Sequence, residues 1–129
     1  MKFLIGLLFL IPLVVLAELP PSAYESMQAK SPELVKIEVL RVDVSPGTEP
    51  SDQTVHIVAM VTQVIRTGTE LKPDEIINIF YTVTEHPKGW VGPGAIPLLQ
   101  DKQQTVAYLS KEENGDFKPA AGRMSFSNF

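Results

Sequence analysis

Residues with chemical potential are sparse in this chain, and most of them gather in one stretch. Residues 85–99 read Glu85-His86-Pro87-Lys88-Gly89-Trp90-Val91-Gly92-Pro93-Gly94-Ala95-Ile96-Pro97-Leu98-Leu99. They hold the only Trp, one of the two His, three Gly and three Pro. A stretch of this length without helical or strand periodicity is uncommon inside a compact domain and is often functional. The glycines beside Trp90 let a ligand approach the backbone, so the indole can stack on a sugar ring or on a partner's aliphatic side chain. The competing role is structural: the ring folds back and seals the open end of a barrel.

Each remaining candidate has a plainer reading. Gly92-Pro93-Gly94 is a poor phosphate loop, because Pro93 has no N–H to offer, no helix follows and no Lys succeeds the second glycine. His56 and Met60 share a strand face and, with His86, offer soft ligands of the kind copper takes. With no cysteine to join them they read as one strand histidine and core methionines, so neither a metal nor another cofactor is expected. Catalysis needs a nucleophile with a base, a carboxylate pair in a cleft, or a metal. Ser125 and Ser127 have no elbow around them, whereas Glu112, Glu113, Asp116, Asp74 and Glu75 sit beside turns where water solvates them. Glu85 and His86 are neighbours in sequence, and such neighbours at a strand end point apart. The expectation is a protein that is not an enzyme.

Charge narrows the partners. The first seventeen residues begin with Met1-Lys2, continue as an apolar run over 3–16 and close on Val15-Leu16-Ala17. A positive start, a short apolar core and compact residues before the boundary describe a secretory signal peptide cleaved between Ala17 and Glu18. The run is shorter than the ~20 residues a bilayer core requires, and Pro12 interrupts it. Membrane contact is therefore expected only in transit. Removing seventeen of 129 residues leaves 112, enough for one domain with a real core. Ten basic residues then face fifteen acidic ones, a balance of −5 that lacks the basic footprint nucleic acid or anionic lipid demands. Tyr81 and Tyr108 have apolar neighbours in place of the interleaved cations of single-strand binders, which assigns them to core or rim packing. The absence of cysteine excludes disulfide staples, lipoprotein anchoring and thiolate zinc sites, and suits a bacterial periplasm.

The elements that must position these residues are mostly strands. Residues 18–33 form a lead-in with a short helix over 23–30, where Ser22 and Glu25 have capping-box spacing and Pro32 forbids continuation. Its expected place is one end of the barrel. Over 34–44, Val35, Ile37 and Val39 alternate with polar residues, after which Leu40, Val42 and Val44 carry the apolar series on the opposite parity. Such a switch requires an extra residue, a β-bulge near Val39-Leu40. Strands follow over 54–66, 75–83, 105–110 and 117–126, the last expected at an edge or bulge because of Pro119. Leu71 is expected to peg the turn after the second strand inward, and Asn114-Gly115 marks the last turn. Five strands with a bulged first member predict a mainly β domain over 34–129, a five-stranded OB-type Greek-key barrel.

Several short stretches also carry a resemblance. Gly89-Trp90-Val91-Gly92-Pro93, Leu71-Lys72-Pro73, Val106-Ala107-Tyr108-Leu109 and Pro119-Ala120-Ala121-Gly122 with Ser125-Phe126 resemble uncharacterised exported bacterial proteins with a TIMP-like (netrin-like) OB barrel. The likeness runs over roughly 33–126 and implies a scaffold. The inhibitory chemistry of tissue inhibitors of metalloproteinases requires an N-terminal cysteine, and the mature start here is Glu18-Leu19-Pro20. The expected function is an exported binding module that recognises another envelope or secreted protein through the 85–99 loop, with Trp90, Val91, Ile96 and His86 as contacts. Binding of a glycan or small ligand on Trp90, or a protease-inhibitor-like role on this scaffold, are the alternatives.

Overall fold

The computed structural model describes residues 19–84 and 95–127. The apolar run expected to be a signal peptide, with its expected Ala17–Glu18 boundary, lies outside them, as do residues 85–94 with His86, Trp90 and Val91. Helix α1 (Pro21–Lys30) precedes strands β1 (Glu33–Pro46), β2 (Asp52–Arg66), β3 (Ile76–Thr84), β4 (Gln104–Lys111), β5 (Phe117–Pro119) and β6 (Phe126–Ser127), with a one-turn 3-10 helix at Gly122–Met124.

The long strands β1, β2 and β3 form an antiparallel meander. β3 pairs with β5 in parallel at Ile79 and Phe117, β5 pairs antiparallel with β4, and β4 pairs back onto Glu33–Glu38 of β1. The circuit β1-β2-β3-β5-β4-β1 closes a five-stranded barrel with OB-type connectivity. Closure requires β1 to serve two partners: it pairs with β2 and β4 at once over Leu34–Glu38, and a bulge follows where the β4 pairing ends. Val39 pairs with Ala59 and Arg41 with Val58, so Leu40 is the extra residue. Val35, Ile37 and Val39 point inward before it and Val42 after it, while Leu40 is exposed.

The barrel interior is aliphatic. Ile37, Ile57, Ile79 and Leu109 come from four different strands and are fully buried, each stabilising the fold by roughly 1.5–3 kcal/mol relative to exposure. Leu71 is buried as the inward peg of the β2–β3 turn.

Three expectations need correction. Residues 117–126 do not make one strand. β5 and β6 lie in succession on one edge of β4, separated by the 3-10 turn, because Pro119 has no N–H to continue the ladder and Gly122 adopts φ 53°. Tyr108 spans the break: its carbonyl accepts the Ala120 N–H at 2.9 Å and its N–H donates to the Ser125 carbonyl at 2.8 Å. The capping box also fails to form. Pro21 takes the first helical position, where its missing N–H costs nothing, and Ser22 therefore falls inside the helix, which has no side-chain cap at its start. At the other end the Arg66 guanidinium donates to the Gln28 and Ser31 carbonyls, satisfying groups that Pro32 leaves open. Finally, Glu33 belongs to β1 and is wholly buried, although the sequence pattern put it in the lead-in.

α1 rests on the 3-10 turn. Tyr24 is buried there, Gln28 Nε2 donates to the Met124 carbonyl at 2.9 Å, and the Arg123 guanidinium lies 4.8 Å from the Tyr24 ring centre.

Candidate functional site

Filling the barrel with one parity of β2 and β3 leaves the other parity outside. The outward residues are His56, Val58 and Met60 on β2, opposite Phe80, Asn78 and Ile76 on β3. β1 adds Asp43 opposite His56 and Arg41 opposite Val58. Val58, Met60, Ile76 and Phe80 thus form an apolar strip on the outer surface, where Ile76 is 51% and Phe80 38% exposed.

His56 is fixed within this strip. Its ring stacks on Phe80 with centroids 4.2 Å apart and planes 8° from parallel. Its Nε2–H donates to Asn78 Oδ1 at 2.8 Å, while Nδ1 lies 3.9 Å from Asp43 Oδ2. Asp43 also accepts from Arg41 Nε at 2.9 Å, an exposed pair that contributes little to stability. The ring is thus held by one hydrogen bond and by stacking, and among the described residues no hydroxyl is hydrogen-bonded to it.

Next to Phe80 the surface dips into an open groove of about 650 Å³, walled by the β4–β5 turn: Glu112, Glu113, Asn114, Asp116 and Phe117. The turn is held by its own backbone. Glu112 N–H donates to the Asp116 carbonyl at 2.7 Å, Gly115 N–H to the Glu112 carbonyl at 3.0 Å, and Asp116 N–H to Asn114 Oδ1 at 3.0 Å. Gly115 takes φ 94°, a conformation that favours glycine. Glu112 pairs with Lys118 at 3.6 Å, and the Lys111 ammonium lies 5.9 Å from the Phe117 ring centre. Among the described residues Glu113 and Asp116 have no ion-pair partner.

Of the contact residues expected in the 85–99 loop, only Ile96 lies among the described residues, half-buried against the core. The segment after it is pinned. Tyr81 Oη–H donates to the Pro97 carbonyl at 2.9 Å and accepts the Leu99 N–H at 3.4 Å, and Leu99 is buried. Burial raises the Tyr81 phenol above its ordinary value of 10.0, the Leu99 N–H offsetting part of that shift. Tyr81 thus belongs to the core, as its apolar neighbours suggested.

Ser125 is buried, its Oγ accepting the Ala121 N–H and donating to the Gly122 carbonyl. His56 and Met60 share a face as expected, but Met60 is half-buried on the outside and is not a core methionine. Among the described residues no three His, Cys, Asp or Glu side chains converge to hold a metal ion. The Phe80 groove escaped the sequence reading, although a signal existed: Ile76 and Phe80 are large apolar residues on the strand parity that faces water.

No family model, curated protein or solved structure matches the chain.

Proposed function

We propose that this chain is an exported, non-enzymatic binding module that recognises another envelope or secreted protein. One observation carries the reading: folding leaves Ile76 and Phe80 exposed, with Val58 and Met60 half-buried between them, beside an open groove while the barrel interior is packed with aliphatic side chains. The described core packs Ile37, Ile57, Ile79 and Leu109 into the barrel interior, which supports looking for recognition on the outer surface. The face of the second and third strands, with the β4–β5 turn, is also where OB-type barrels commonly take ligands. That is a fold-level analogy and does not name the ligand. The 85–99 loop leaves the chain directly after β3, so Trp90, Val91 and His86 are the second element of this reading. The apolar opening of the sequence supports export.

Site-specific photo-cross-linking in the exporting cell tests this. A benzophenone amino acid replaces Phe80 or Trp90, with Glu70, an exposed residue of the β2–β3 turn, as control. The expected result is a discrete adduct with an exported protein from position 80 or 90 and none from position 70. Equal labelling from all three positions, or no adduct from any, would overturn the reading.

A further inference from the structure

We propose that the outer face of β2 and β3 takes an extended polypeptide segment in which basic side chains alternate with aliphatic ones. This inference rests on the protein-binding reading above and specifies the partner's chemistry. The geometry of the face comes first. Ile76, Asn78 and Phe80 project outward from alternate positions of β3, and Met60, Val58 and His56 do so from β2. Ile76 and Phe80 are four residues apart, roughly 13 Å along a strand at about 3.3 Å per residue. An extended segment repeats its own side chains at the same spacing, so its aliphatic residues can reach Met60–Ile76 and Val58 while its other parity faces away or over the rim.

Charge decides what the other parity carries. Of the cations around the strip, Arg41 is paired with Asp43 and Lys118 with Glu112, while the Lys111 ammonium lies over the Phe117 ring. Glu113 and Asp116, on the wall beside Phe80, have no ion-pair partner among the described residues, and Asn114 adds an amide between them. A segment with Arg or Lys at the Phe80 end would meet both carboxylates and the exposed part of an aromatic ring, the surroundings that favour a guanidinium. A phosphorylated or acidic segment would meet the same carboxylates and be repelled. The carboxylates do not converge on a point, so they suit cations spread along a chain better than a chelated ion.

The test uses fluorescein-labelled hexapeptides and the mature chain. One peptide alternates Arg with Leu, a second Glu with Leu, and a third Arg with Ser. Binding is read by fluorescence anisotropy and located by backbone amide shifts. The Arg/Leu peptide is expected to saturate and to shift residues 78–80 and 113–116. The Glu/Leu and Arg/Ser peptides should bind at least about tenfold more weakly. The double variant Glu113→Gln, Asp116→Asn should weaken the Arg/Leu peptide about fivefold, as two exposed ion pairs allow. A control with the same charge change, Glu25→Gln with Glu49→Gln on exposed surface elsewhere, should change it less than about twofold. Ile76→Ser should also weaken it, separating apolar contact from attraction between net charges. Equal losses in the two double variants, or amide shifts away from this face, would overturn the inference. So would chitotriose moving the same amides with no dependence on Glu113 and Asp116, because the face would then read sugar rings. If the peptides fail while the cross-link from position 80 or 90 persists, this inference falls and the protein-binding reading stands. If both fail, both fall.

Discussion

The carboxylate of Glu33 accepts the Thr67 hydroxyl at 2.5 Å, tying the first residue of β1 to the turn between β2 and β3. The same carboxylate accepts the Thr69 hydroxyl at 3.0 Å and the Gly68 N–H at 3.2 Å. Thr67 Oγ1 in turn accepts the N–H groups of Thr69 and Leu71, which holds the Leu71 peg in place. A buried carboxylate persists without a cationic partner when hydrogen-bond donors surround it.

Glu33→Gln puts an amide NH₂ where only acceptors fit, facing at least one of these donors. The variant should lose about 1–3 kcal/mol of stability, the cost of leaving buried polar groups unpaired. Urea unfolding measures it. Thr67→Val should cost a similar amount, and the double variant should cost less than the two summed, since both break one network. Additive losses would show that the network is not a unit.

Glu33 shows why part of the fold was hidden from sequence. The sequence pattern left it in the lead-in before the first strand, and only the turn that arrives over thirty positions later supplies its donors. The bulge at Leu40 was legible, because the parity switch between Val39 and Val42 is written in consecutive residues. The alternation of β2 and β3 was legible for the same reason, but which parity of β3 faces water, and so that Phe80 lies outside, comes from the fold. The groove beside it was not, since it exists only because parallel pairing of Ile79 with Phe117 carries the β4–β5 turn alongside β3. The break between β5 and β6 was half legible: Pro119 marked an edge or bulge, but the backbone bonds to Tyr108 that span the break are announced by no side-chain pattern.

Tyr81 gives the fold a pH dependence with a definite sign. Its folded-state value lies above the ordinary 10.0 through burial, so between the two values the folded state binds more protons than the unfolded one. Stability from this group is fully present below pH 10 and is lost as pH rises through the folded value. The difference between wild-type and Tyr81→Phe phenolate absorbance should titrate with a midpoint above 10. A midpoint at or below 10 would contradict the buried environment.

Gly47 closes the β1–β2 turn, its N–H donating to the Asp52 carbonyl at 2.9 Å. A Cβ there would lie 2.7 Å from Asp52 Cβ, closer than real side chains approach. Gly47→Ala should therefore force the turn open and cost about 1–3 kcal/mol. An unchanged melting temperature would mean that the turn relaxes freely.

Ile57 stands at the centre of β2 with no exposure. Ile57→Ala should cost about 2–5 kcal/mol, because the strands around it cannot collapse onto the void. Thermal unfolding followed by circular dichroism reads the loss. A change below about 1 kcal/mol would mean that the barrel interior is loosely packed.

Phe80→Ala should behave differently. The residue is exposed, so the barrel should survive with a loss of about 0.5–1.5 kcal/mol from the missing ring pair. The ring protons of His56 should move downfield as the stacked ring disappears. If they stay in place, the stacking does not exist in solution.

The most direct test of a protein-binding outer face is the cross-link from position 80 in the exporting cell, compared with position 70. This reading predicts one discrete adduct with an exported protein from position 80 that is lost when excess unlabelled mature chain competes. Adducts of the same size and yield from position 70, or none from position 80 and none from position 90, would contradict it.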